Sequence, residues 1–230
     1  MIVVYPIGGL CNKLRVTLSF HEFAVKKNKE LHVIWDVTNA CNGFFLDYFH
    51  PIQGITFLRN IDEHKTIHYK GHQWHPDFHP YQHNYKNKFY NKLKLLPHVQ
   101  KQVTDRANAL GHEYIAVHIR RTDHAELARK NNLYTTDETF QEFIDSHESN
   151  LYLATDNRET QESYLKQYSD RIKSIELINP DRNDSRNTSL ESAIVDLYMC
   201  VNSYEFLGSG YSAFSGTIKV LRALRGLKGC

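Results

Sequence analysis

Short apolar runs alternate with stretches of helical period along the whole chain. The run IVVYPI, residues 2–7, is rich in β-branched side chains and predicts a strand. GGLCNKLR follows it and opens a helix reaching about Lys27. LHVIWDV (31–37) predicts a second strand and ITFL (55–58) a third. Over residues 60–92 the periodicity disappears, and the chain becomes polar, aromatic and rich in histidine. A helix is predicted from about His98 to Leu110, with Gly111 as its natural C-cap.

The second half repeats the alternation more cleanly. YIAVHI (114–119), LYLATD (151–156), IKSIELI (172–178) and YEFLGS (204–209) predict four strands. Helices are predicted between and after them, at 137–147, 158–168, 188–202 and from about 212 to 226. Strands and helices that alternate with short connections imply an α/β fold whose parallel sheets are covered on both faces. The pattern divides near Leu96 and Pro97 into two Rossmann-like lobes, residues 1–97 and 98–230. No repeat at solenoid spacing is present.

Composition narrows the classes. The chain has 230 residues, 41% hydrophobic and 23% charged, which is ordinary globular usage. Its 28 basic and 26 acidic residues leave a net charge of +2, which argues against bulk binding to nucleic acid or an anionic membrane. No apolar run approaches the ~18 residues of a membrane span. MIVVYPIGG lacks the basic and apolar regions of a signal peptide, so a cytoplasmic protein is expected. Cys11, Cys41, Cys200 and Cys230 form no CxxC and read as free thiols of a reducing compartment. Asn183 and Asn187 begin glycosylation sequons, which matter only in a secreted protein.

Ligands of open parallel sheets sit outside the carboxyl ends of the strands. Four motifs fall at such ends: GGLCNKLR, HIRRTD (118–123), ATDN (154–157) and GSGYSAFSG (208–216). Arginine carries a permanent charge and a planar fork of donors that suits phosphate. Arg120 and Arg121, fixed at the end of a buried strand, suit a diphosphate whose charge grows as it leaves. In GSGYSAFSG, small residues lead into a helix whose N-terminal N–H groups can approach an anion, and Ser212 and Ser215 are natural N-caps. Gly8 and Gly9 allow close backbone approach, with Asn12 and Arg15 on the first turns beyond; a plain tight turn explains the same glycines. No GK[ST] and no DxD occurs, which disfavours a P-loop and leaves leaving-group stabilisation to arginine and backbone donors.

Together these motifs resemble the GDP-fucose-dependent fucosyltransferases of the α1,2, α1,6 and protein-O-fucosylating superfamily. HIRRTD is similar to its HxRRxD signature, GGLCNKLR to its glycine turn and LYLATDN to its strand ending in Thr-Asp. AIVDLYMCVNSYEFLGSGYSAFSGTIKVL resembles its closing segment. Cys11 and Gly216 depart from the pattern, standing where glycine and arginine are common.

The resemblance implies a GT-B-type fold with an acceptor-side first lobe and a nucleotide-sugar-binding second lobe. It also implies an inverting reaction with no metal and no cofactor. By the resemblance, Arg120 contacts the β-phosphate of the donor, and His118, Arg121 and Asp123 shape its pocket, with Asp156 nearby. Asp196 matches the acid that binds the guanine edge, and Tyr211, Ser212, Ala213 and Phe214 cradle base and phosphates. Inversion needs a base, for which Glu126 is the candidate; Asp123 serves either in catalysis or as the structural partner of an arginine.

His64, His68, His72, His75, His79 and His83 recur at near-helical spacing, but Gly71, Pro76 and Pro80 oppose a helix and hence a metal face. With Trp74, Tyr81 and their neighbours the segment reads instead as an acceptor-binding loop, with Trp74, His75 and Tyr81 as contacts; a plain surface loop is the alternative. In KVLRALRGLK the apolar residues read as core packing, not membrane binding. The expected partners are a nucleotide sugar and a glycan. Rival readings are another GDP- or UDP-sugar donor, a non-catalytic nucleotide or glycan-binding module, and an RNA-binding protein, the last weakened by the near-neutral charge.

Overall fold

The computed structural model describes residues 1–60, 66–78, 88–111, 113–122, 125–175 and 188–227. Asp123, Tyr81, His64, His79, His83, Cys230, both sequon asparagines and the end of the IKSIELI run lie outside them. The chain forms two units, Met1–Pro97 and His98–Cys230.

In the first unit, β1 (Ile2–Pro6), β2 (Leu31–Ile34), β3 (Ile55–Leu58) and β4 (Tyr69–Gly71) form one parallel sheet in the order β3-β2-β1-β4. Helix α1 (Leu10–Lys26) packs Leu14 and Leu18 at zero exposure. The second predicted strand is shorter than expected, because pairing with β3 stops at Ile34. β4 was not legible: three residues cannot display a period of two, and only pairing with β1 makes them a strand. Two 3-10 helices, Pro76–Phe78 and Lys88–Lys92, also lie in the stretch without periodicity and bury Phe78, Phe89 and Tyr90.

Helix α2 (Pro97–Leu110) starts on the last residue of the first unit and otherwise belongs to the second, where β5 (Tyr114–Ile119), α3 (Ala125–Lys130) and α4 (Asp137–Asp145) follow it. β6 (Asn150–Thr155), α5 (Arg158–Gln167), β7 (Ile172–Ser174), α6 (Leu190–Asn202), β8 (Phe206–Gly208) and α7 (Ala213–Leu224) complete it. Its sheet is parallel in the order β7-β6-β5-β8, the same wiring as the first. All six residues of β5 are buried, as a central strand covered on both faces requires.

Successive side chains on a strand point to opposite faces. Ile115, Val117 and Ile119 pack with Leu151, Leu153, Phe140 and Ile144 on the α4 and α5 side. Tyr114 and His118 face the other way, bonded to Met199 of α6 and Ser215 of α7. Arg222, with zero exposure, donates to the carbonyls of Cys200, Val201, Ser203 and Tyr204, tying the end of α6 to the chain entering β8. The basic tail therefore contains a structural arginine.

Candidate functional site

In both sheets the chain runs outward on one side of the first strand and returns on the other. The switch points therefore lie between β1 and β4 and between β5 and β8, where ligands of such sheets collect.

At the end of β1, Gly8 takes φ +89°, and a Cβ there would approach Asn12 Nδ2 to 2.9 Å. Gly9 begins α1 with no side-chain cap, leaving the N–H groups of the first turn to other partners. Arg15 is half-buried with its guanidinium 5.7 Å from the Trp74 ring centroid. Beside this turn Lys13, 1% exposed, lies 2.5 Å from Asp36 Oδ1. The Tyr5 hydroxyl donates to Asp36 Oδ2 at 2.7 Å, and that bond, with burial, holds the phenol above its ordinary pKa.

The chain after β4 carries Trp74 and His75. Trp74 is half-buried against Phe89 and Tyr90. His75 stacks on Phe23 at 4.0 Å and meets the edge of Phe20, so the Phe23-side face of its ring is closed to a sugar. Burial keeps this imidazole below its usual pKa. The His68 Nδ1 accepts from the Val3 N–H. These histidines serve packing and sheet edges, and among the described residues no group of three His, Cys, Asp or Glu could hold a metal ion.

At the end of β5 the alternation of the strand continues into the loop and separates the two arginines. Arg121 turns to the α4 side. It donates to Asp137 Oδ1 at 2.6 Å and to the Thr135 carbonyl at 3.2 Å, and its guanidinium lies over Tyr134 and Phe140. Both arms of its fork are engaged within the unit. Arg120 pairs with Asp156 Oδ2 at the looser distance of 3.5 Å. The backbone N–H of Arg120 donates to Ser209 Oγ at 2.8 Å, while Ser209 N–H donates to the His118 carbonyl, joining the ends of β5 and β8.

Asp156 is the hub. Besides Arg120, it accepts from the Arg121 N–H at 3.1 Å and the Thr122 hydroxyl at 2.5 Å. Arg120, Arg121, Tyr134, Thr135, Ser209 and Gly210, together with Ala125 and Ala128 of α3, line a small recess at this strand end. Gly210 N–H donates to Thr135 Oγ1. Tyr211 holds φ +55°, uncommon for a tyrosine, and is 45% exposed beside the start of α7. Ser212 caps α7 by accepting from the Ser215 N–H, with Ala213 and Phe214 forming its first turn.

Two further predicted residues lie on helices of this unit. Asp196 is 7% exposed on α6, beneath the middle of β6, and accepts from the Tyr152 hydroxyl at 2.6 Å. Burial raises its pKa to about 7, against the opposing pull of the Tyr152 bond and Arg106. The carboxyl of Asp196 is thus bonded within the unit, to Tyr152 of β6. Glu126 is exposed on the first turn of α3. Thr122, Thr135 and Ser209 carry no signal in the sequence, because their contacts depend on loops that meet only in the folded unit.

No protein-family model and no curated protein matches the chain. Solved structures do. A NodZ α-1,6-fucosyltransferase soaked with GDP-fucose superposes with a TM-score of 0.64 at 14% identity, covering 96% of this chain and 92% of that one. Fucosyltransferase NodZ from Bradyrhizobium gives 0.65 at 12% identity, covering 96% and 92%. POFUT1 in complex with GDP gives 0.61 at 14% identity, covering 100% and 97%. The chain has the fold of these fucosyltransferases. Two parallel four-stranded sheets with flanking helices make it a GT-B-type α/β fold, as the sequence predicted. No helix among the described residues is long and apolar enough to cross a membrane.

Proposed function

We propose that the chain is a glycosyltransferase that moves fucose from GDP-fucose to a hydroxyl of a glycan, with inversion and without a metal or other cofactor. The observation that carries this reading is Arg120. It stands at the carboxyl end of β5, beside the β8–α7 turn, held by Asp156 and Ser209 in a fold shared with enzymes solved with GDP and GDP-fucose.

In the reaction, the acceptor oxygen bonds to the anomeric carbon as the bond from that carbon to the β-phosphate oxygen breaks. Negative charge accumulates on the departing GDP, and a preorganised guanidinium stabilises it more than it stabilises the bound donor. Arg120 takes that role. The first turn of α7, with Tyr211, Ser212, Ala213 and Phe214, receives base and phosphates, and His118 borders them. Arg121 shapes the pocket indirectly, by fixing the loop. Glu126 or Asp123 accepts the acceptor proton. Within the first unit taken by itself, Gly8, Gly9, Asn12 and Arg15 at the β1 turn offer contacts to an anionic ligand, and Trp74 and Tyr81 offer contacts to a sugar. Trp74 is the main described contact there.

The test is calorimetric titration with GDP, UDP, GDP-fucose and GDP-mannose in the presence of EDTA, followed by an acceptor screen. Micromolar binding of GDP but not UDP, with GDP released on fucose transfer, is expected. Binding of UDP alone overturns the donor assignment, and loss of transfer in EDTA overturns the metal-free mechanism.

A further inference from the structure

His118 is 5% exposed on the α6–α7 face of β5, and its Nδ1 lies 2.7 Å from Ser215 Oγ. Ser215 is itself 2% exposed on the first turn of α7. Gly208 pairs with His118 in the sheet register, and a Cβ at Gly208 would come within 2.6 Å of Ser215 Oγ. A glycine at that place is what lets the hydroxyl reach the ring. Phe214 packs on the same imidazole with centroids 4.7 Å apart. Three elements, β5, β8 and α7, thus converge on one polar contact.

The direction of that hydrogen bond follows from counting donors. A neutral imidazole has one N–H and one bare nitrogen. Burial and the Arg120 cation hold His118 neutral, with a pKa near 3. Among the described residues Ser215 Oγ makes one hydrogen bond, the one to His118. If Nδ1 carried the proton, the buried serine hydroxyl hydrogen would have no acceptor, an unfavourable arrangement. If the serine donates, its hydroxyl hydrogen and Nδ1 satisfy each other, and the imidazole proton sits on Nε2, which is left to donate to a ligand.

We propose that Ser215 is a positioning residue that fixes His118 as its Nε2–H tautomer, so that a neutral N–H donor is presented to an anionic or hydroxyl group of the nucleotide at the start of α7. The tautomer is a property of this chain alone; the identity of the ligand rests on the GDP reading above.

The experiment is long-range proton–nitrogen NMR on protein labelled with ¹⁵N-histidine, combined with GDP calorimetry. His118 is assigned among the 14 histidines by its loss in His118→Gln, or by contacts of its ring with Phe214 should that variant not fold. The wild type is expected to show a protonated Nε2 and a bare, hydrogen-bonded Nδ1 at neutral pH. Ser215→Ala should yield a mixture of tautomers and weaken GDP about tenfold, the worth of one hydrogen bond. Ser215→Thr, which keeps the hydroxyl, should restore the single tautomer and most of the affinity.

An Nδ1–H tautomer in the wild type overturns the proposal. So does an unchanged tautomer in Ser215→Ala, whatever happens to affinity. If the tautomer behaves as stated and GDP fails to bind, the role of Ser215 stands and the nucleotide assignment falls.

Discussion

At the end of β1 the chain turns through Gly8 at φ +89° into a helix without a side-chain cap. At the end of β5 it turns through two arginines, and across the switch point Ser212 caps α7 with its side chain. The two sheets have the same strand order, so topology offers each unit an equivalent position for a ligand. Chemistry then separates them. The first unit supplies bare backbone, half-buried Arg15 and an aromatic platform in Trp74. The second supplies a guanidinium held by a carboxylate hub and a polar contact sealed beneath it. Connectivity decides where a site can form, and the side chains at the strand ends decide what it can hold.

The contrast is sharpest at Arg120. Arg120→Lys keeps the charge and loses the planar fork, so turnover should fall about 100-fold or more with thermal unfolding unchanged. Near-normal turnover would remove the second unit's claim to the phosphates.

The buried carboxyl of Asp196 offers a pH signature. Because its pKa rises from 3.8 to about 7 in the folded protein, the native state keeps a proton that the unfolded state has released. Stability from this group is present below the unfolded value and falls as pH rises through 7, with a slope of at most about 1.4 kcal/mol per pH unit. His118 works in the opposite sense between about 3 and 6.5, where only the unfolded state takes up the proton. The difference between wild type and Asp196→Asn in denaturant titrations from pH 5 to 8 isolates the carboxyl. The wild type should lose stability relative to the variant as pH rises, and parallel curves would show that Asp196 titrates normally.

Arg121→Ala removes charge-assisted bonds to Asp137 and to the Thr135 carbonyl, and should cost about 1.5–3 kcal/mol in chemical denaturation. Its effect on turnover should be smaller than that of Arg120→Lys. A stable but inactive Arg121→Ala would reverse the division of labour between the two arginines. In the first unit, Gly8→Ala should cost about 1–2 kcal/mol, since an alanine there meets both the left-handed backbone and Asn12 Nδ2. An unchanged unfolding midpoint would mean the turn relaxes freely. The smallest effect is expected at Gly216, on α7 with open space where a Cβ would point. Gly216→Ala should stabilise by about 0.5–1 kcal/mol, measured as a rise in Tm.

Much of this molecule was determined by the sequence alone. Short apolar runs and helical stretches gave β1, β3, β5, β6 and the longer helices nearly to the residue, and β8 at twice its length, because a central parallel strand must be apolar on both faces and a covering helix on one. HIRRTD and GSGYSAFSG located the strand-end chemistry for the same local reason: polar residues that interrupt a buried run stand at its end. What the local pattern could not carry was decided by tertiary structure. β4 exists only through its pairing with β1, and His75 is a packing residue only because α1 brings Phe23 beneath it. Arg120 and Arg121 are adjacent and chemically identical in the sequence. Their roles diverge because a strand points neighbours to opposite faces, where Asp137 waits for one and Asp156 for the other. Asp196 carries a raised pKa only because α6 buries it against Tyr152 of β6. A side chain's neighbours across the fold set its charge and its reach, and those neighbours lie dozens of residues away.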